Sequence, residues 1–265
     1  MAIEGVDLSF ARPGGAALAA AGKHFVVRYL TGKGKALSAK EAAHYHAHGV
    51  SISLVFETSK GRALAGSAAG RADGHAAANA AAALGVPSSV PIYFAVDIDA
   101  QADDQPAIDA YLLGAAAVIG ADRVGVYGGR HVVTRCHSNR TARWFWQTYA
   151  WSGGKVAPFI HLYQYRNGQK INGGKVDFDR AYRPNFGQWP QPQPPVAGQR
   201  YRVTIKGGPV RLFTGVDGIP FGAVTLATYV CGRSKVDGLW WYEIALGPRA
   251  GEAFKPNRFT TARFA

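Results

Sequence analysis

Acidic side chains are scarce in this sequence, 17 Asp and Glu among 265 residues. Several of them close or sit in runs of β-forming residues: Asp7, Glu57, Asp97, Asp99, Asp177 and Asp179. Asp97 and Asp99 are spaced i, i+2, so on one continuous strand both leave the same face, with Cα atoms about 6.5 Å apart. Like charges that close raise one another's proton affinity, so one group can keep its proton while another stays ionised. Glycoside hydrolysis needs that division, an acid for the leaving oxygen and a carboxylate facing the anomeric carbon. The same residues have plainer uses. Asp99, ahead of Gln101-Ala-Asp-Asp104, could cap a helix, and Asp179, followed by Arg180, reads as one half of a structural ion pair. Clustered carboxylate oxygens could also hold magnesium or calcium.

Other chemistries find little support. His44, His46 and His48 fall on a predicted helix without metal-ligand spacing. There is no GxSxG and no phosphate-cradling GxxxxGK[ST], and neither Cys136 nor Cys231 sits in a nucleophile motif. Gly125-Val-Tyr-Gly-Gly129 reads as a tight turn. No metal and no cofactor is expected.

Carboxylates so far apart in sequence need a scaffold that gathers them. Strand-like runs cover residues 3–10, 24–30, 50–57, 91–98, 123–127, 143–149, 158–165 and 175–178. Helical stretches separate the first five. Ser38-Ala-Lys-Glu41 reads as a capping box, 68–84 is Ala-rich and stops at Gly85, and Asp104-Gln-Pro106 opens a helix over 108–119. This alternation predicts an α/β fold, an irregular (β/α)8 TIM-like barrel of parallel strands, with an open doubly wound sheet as the alternative. The C-terminal ends of barrel strands converge on one rim, which would bring Asp7, Glu57, Asp97, Asp99 and Asp177 into one cleft. Tyr29, Tyr127, Trp146, Tyr163 and Tyr165 lie in or beside the strands and could stack on sugar rings.

The segment QWPQPQPPVAGQ, 188–199, holds four prolines and no charge and reads as an extended linker between residues 1–187 and 200–265. The C-terminal part shows short β runs broken by Gly, Pro and Asp, a small all-β domain. Net charge is +13, with +7 before the linker and +6 after it, and no basic run reaches four residues. Nucleic acid, an anionic membrane and teichoic-acid-bearing peptidoglycan would all attract such a charge, and its diffuse spread suits an acidic polymer better than it suits a DNA-binding arm. No apolar stretch reaches the 18 or so residues of a membrane span. The first residues, MAIEGVDLSF, lack the basic and apolar regions of a signal peptide, so synthesis in the cytoplasm without a leader, followed by release to the wall, is expected.

The ordered motifs GVDLSF, RYL, VFE, PIYFAVDID, VGVYGG, WFWQTYAWSGG, HLYQY and VDFDRA resemble the glycoside-hydrolase-like domain of unknown function 1906, related to the family-25 lysozymes. The resemblance runs from Ile3 to about Gln188. It implies a muramidase-like hydrolase acting on peptidoglycan or attached glycan, in the manner of a bacteriophage endolysin. Asp7, Asp97 and Asp177 match three family-25 positions, while Asp99 stands where that family has Glu. The acid would then be Asp99 or Glu57, with Asp97 stabilising the developing positive charge and Asp7 and Asp177 setting proton affinities and positioning sugar or water. GGPVRLF and GLWWYEI are similar to bacterial SH3-like wall-binding modules. Cell-wall polysaccharide is the implied partner, without nucleic acid or membrane, for a monomer. An inactive wall-glycan-binding protein and a metal-dependent hydrolase are the alternatives.

Overall fold

The structure is a computed structural model that describes residues 2–190 and, beyond them, the backbone of five strands. The first unit alternates β1 (Ile3–Asp7), α1 (Gly14–Ala20), β2 (Phe25–Tyr29), α2 (Ala39–Ala47), β3 (Ser51–Phe56), α3 (Gly66–Ala83), β4 (Ile92–Ala95), α4 (Gln105–Ile119), β5 (Val124–Gly128) and α5 (Arg130–Asn139). It then runs β6 (Trp144–Thr148), β7 (Leu162–Ile171), β8 (Gly174–Ala181) and a short β9 (Gln188–Trp189). Strands β1 to β8 close into a barrel, each pairing with its neighbour in the chain and β8 returning to β1.

Seven strands are parallel, as expected, but β8 is not. It pairs antiparallel with both β7 and β1. The cause is the turn at Asn172-Gly173, where both residues take positive φ and join the strands as a hairpin, leaving no room for a crossover helix. The reversal decides which of the paired aspartates reaches the rim. Asp177 sits opposite Asp7, whereas Asp179 sits opposite Gly5, one step deeper.

Strand alternation divides the apolar residues between two cores. Phe25, Val27, Val55, Tyr93, Trp146, Leu162 and Phe186 fill the barrel interior. Val26, Leu54, Phe94 and their neighbours face the helices. Phe186 packs on Phe25 with ring centroids 4.7 Å apart, and its carbonyl accepts from the Tyr93 hydroxyl at 2.7 Å. Helices α3 and α4 approach with backbone against backbone. A Cβ added at Gly70 would lie 1.9 Å from the Tyr111 carbonyl oxygen. Gly70→Ala must force the helices apart, and a loss of about 1–3 kcal/mol is expected in denaturant unfolding.

Two local expectations change. Ser38 does cap α2, accepting from the Glu41 amide at 3.2 Å, but the Glu41 carboxylate turns to Arg28 instead of closing a capping box. Gln188 and Trp189, placed in the linker by sequence, pair with β3 as β9. The rest of the predicted linker, 191–199, lies outside the described residues.

In the second unit, β10 (Tyr201–Phe213), β11 (Pro220–Val236), β12 (Leu239–Ile244), β13 (Ala253–Phe254) and β14 (Thr260–Phe264) form an antiparallel sheet. Its order is β11-β12-β13-β10-β14, with β11 also paired to β10. The predicted all-β character is thus present in the backbone.

Candidate functional site

A cavity of about 440 Å³ opens at the C-terminal ends of the parallel strands. Asp7 ends β1, Glu57 follows β3, Asp97 follows β4, and Asp177 projects from the reversed β8; all four line this space. A second cavity of about 740 Å³ adjoins it along the β7–β8 hairpin, and the two share Asp7, Ser9, Phe10, Tyr29, Asn167 and Asp177. Together they make one groove, with Asp7 and Asp177 where its halves meet and Glu57 and Asp97 in the smaller half.

Each carboxylate is held differently. Asp7 is buried and accepts from Gln164 Nε2 at 2.6 Å; Gln164 Oε1 in turn accepts from Tyr127 at 2.9 Å and Thr148 at 2.8 Å. Burial first, then the nearby Asp177 charge, raises the Asp7 pKa to about 7. Asp97 lies within 3.8 Å of Lys60, and burial together with Glu57 raises its pKa. Glu57 pairs with Lys35 at 3.1 Å, and that ammonium sits 4.6 Å from the centre of the Tyr29 ring. Asp177 accepts from the Gly168 amide at 2.6 Å, made possible by register shifts in the hairpin, and burial raises its pKa.

The remaining predicted residues divide. Tyr29, Tyr127 and Trp146 line the cavity, Tyr127 and Trp146 packed with ring centroids 4.4 Å apart. Tyr163 and Tyr165 do not. On β7 it is Gln164 that points inward, so its two neighbours face outward by the strand's period of two. Tyr163 packs beside Tyr182, and Tyr165 donates to Glu4 at 2.7 Å. Asp99 is exposed and lines neither cavity, because β4 ends at Ala95 and the chain has already turned away. It is no helix cap either; the capping box ahead of α4 joins Gln101 to Asp104. The expected Asp179 to Arg180 ion pair is replaced too. Arg180 pairs with Glu4 at 2.6 Å, while Asp179 is fully buried.

Sequence reasoning passed over Lys35, Lys60, Phe10, Ser9 and Asn167 as cavity walls. Gln164 was missed as well, because its inward phase follows only from the register of β7 with its neighbours. Trp151 takes φ 54°, and the adjacent Ser152 is pinned by bonds to Thr148 O and the Arg130 amide. Burial pushes the Cys136 thiol up to about 11, far from a nucleophile's range. Among the described residues no three His, Cys, Asp or Glu side chains are grouped to hold a metal ion, and no helix is long and apolar enough to cross a membrane.

A closed α/β barrel with acidic side chains gathered in a groove at its rim defines a glycoside-hydrolase-like protein. The chain belongs to the Rv2525c-like, glycoside hydrolase-like domain family, which matches residues 16–182. It is 29% identical over 185 residues to Rv2525c of Mycobacterium tuberculosis, a candidate peptidoglycan hydrolase, covering 64% of this chain and 77% of that protein. The crystal structure of Rv2525c with L-tartrate superposes with a TM-score of 0.68 at 28% identity, over 70% of this chain and 98% of that one. The spore cortex lytic enzyme SleM of Clostridium perfringens shares the fold alone, with a TM-score of 0.51 at 12% identity over 100% of this chain and 98% of that one. Rv2525c is Tat-secreted, which conflicts with the expected leaderless, cytoplasmic origin, and that expectation is withdrawn.

Proposed function

We propose that the groove hydrolyses a glycosidic bond in a bacterial cell-wall polymer, peptidoglycan or a glycan attached to it. The observation that carries this reading is the unequal pair of carboxyl environments on one cavity. Asp7 holds its proton to about neutrality, while Asp97 lies beside the Lys60 ammonium. Burial raises both, but the Lys60 and Lys35 ammonium groups oppose the rise at Asp97 while the Asp177 charge adds to it at Asp7, and unequal environments of this kind separate acid from base roles. Asp7 is therefore the proton donor to the leaving oxygen, replacing Asp99 in that role. Asp97 faces the positive charge that develops at the sugar carbon, and Asp177 and Glu57 complete the acidic wall. The Tyr29 and Phe10 rings along both cavities offer stacking surfaces for successive sugars, and a groove of two joined halves suits a chain cut internally. The peptidoglycan link of Rv2525c supports the substrate class. Muramidase-type specificity, an endolysin-like use of the chain by a single copy, and wall targeting by the basic residues 200–265 belong to the same reading.

The test is product analysis by mass spectrometry on purified walls. New sugar reducing ends are expected; soluble fragments without them would overturn the glycosidase assignment. The pH dependence follows from Asp7. An acid must be protonated, so kcat/KM should fall as pH rises through about 7, where Asp7 loses its proton. A profile measured between about pH 5 and 9 should show that limb unchanged in Asp99→Asn. Activity that instead rises through neutrality would make Asp7 a base.

A further inference from the structure

One carboxyl group lies beneath the groove and lines neither of its cavities. Asp179 is fully buried on β8, among the aromatic residues of the barrel interior. Its Oδ1 accepts from Trp146 Nε1 at 2.7 Å. Its Oδ2 is buried and meets no donor among the described residues. The Asp179 side chain is nevertheless within hydrogen-bonding reach of Asp7. Two ionised carboxylates cannot bond to each other; a proton between them satisfies both. A charged acceptor left dry and unpaired is strongly disfavoured, so the buried group is the one that keeps the hydrogen.

We propose that Asp179 is a positioning residue that stays protonated and donates its carboxyl hydrogen to Asp7, setting how tightly Asp7 holds its own proton. The charges that act on the pair favour this state. Asp177 on β8 and Asp97 after β4 are carboxylates that disfavour a further negative charge, and Tyr127 on β5 is a neutral phenol beside both. Burial and the Asp7 charge both push Asp179 well above the usual carboxylate range. Gln164, the Cα partner of Asp179 across β7, donates to Asp7 as well. The acid is thus cradled by an amide and a carboxylic acid. Gly5 opposite Asp179 carries no side chain, and a Cβ there would meet the Phe25 ring at 2.4 Å, so no further group could enter.

The inference about pH dependence rests on the proposed role of Asp7, but the proton itself can be seen without turnover. The infrared C=O stretch of a protonated carboxyl group should be present in wild type above pH 8 or so, where Asp7 has ionised, and absent in Asp179→Asn. The asparagine amide keeps a donor for Asp7 and an acceptor for Trp146, so its kcat/KM limb near neutrality should stay within about half a unit of wild type. Asp179→Leu removes the donor that favours ionised Asp7. Its limb should move up by about one unit or more, a tenfold gain in proton affinity. A band that persists in Asp179→Asn, or a limb that does not move in Asp179→Leu when circular dichroism shows an intact fold, would overturn the proposal. If no activity is found in any form, the glycosidase reading fails while the infrared band still decides the shared proton.

Discussion

Asp7→Asn is expected to lower kcat/KM by about 10²–10⁴-fold, the usual contribution of a positioned general acid, with little change in fold. The side chain is nearly isosteric, and its amide oxygen can still accept from Gln164 and from the Asp179 carboxyl hydrogen, so the buried network stays paired. What disappears is the transferable proton. Release of reducing ends from purified walls measures the loss, and near-ultraviolet circular dichroism checks the packing of Trp146 and Tyr127 around the site. Activity equal to wild type would move the acid role elsewhere on the cavity. Because a proton donor acts in the transition state, the loss should appear in kcat rather than in KM.

Arg28→Met should destabilise the barrel unit by about 3 kcal/mol, since it leaves the Leu8 and Lys35 carbonyls without their buried donor, although Glu41 keeps Arg12 and Tyr45. Arg28 is fully buried on the outward phase of β2. Its guanidinium donates to Leu8 O, to Lys35 O at 2.8 Å, and to Glu41 through Nε at 2.9 Å and Nη2 at 3.3 Å. It therefore ties the segment leaving β1 and the loop carrying Lys35 to helix α2. Losing it removes the footing of Ser9, Phe10 and Lys35 along the groove, so KM should rise as well. Thermal unfolding checks the first effect, with a drop on the order of 10 °C.

The eight barrel strands were legible because each is a short apolar run with turn residues at its ends, and the four connections among the first five carry helical signals. The direction of β8 was not. Asn172-Gly173 is a hairpin signal, yet without knowing that β7 continues to Ile171 it is easily taken for a loop. That one turn decides that Asp177 reaches the cavity and Asp179 does not. Asp97 and Asp99 show the opposite error. Their i, i+2 spacing implies a shared face only on a continuing strand, and β4 stops two residues before Asp97. Tyr163 and Tyr165 mark a similar limit: the sequence shows that half of β7 faces inward, but only the register with β6 and β8 shows which half. The lysines that pair with Glu57 and Asp97 come from loops, where no periodicity announces a side chain's direction.

The buried acid pair has a consequence for how the protein survives acid. At Glu4 bonds from Tyr165 and Arg180 outweigh burial and lower the pKa; stabilisation from such a group is lost as pH falls through its folded value. Asp7 works in the other direction. Its pKa rises from 3.8 to about 7 on folding, so its stabilising contribution is complete below about pH 4 and fades as pH climbs through 7. Asp179, shifted the same way, extends that window upward. The groove thus makes the native state a net proton acceptor in this range, and it offsets part of the acid sensitivity contributed by groups such as Glu4. Selection for turnover and selection for robustness at neutral pH accordingly pull on these two residues in opposite senses.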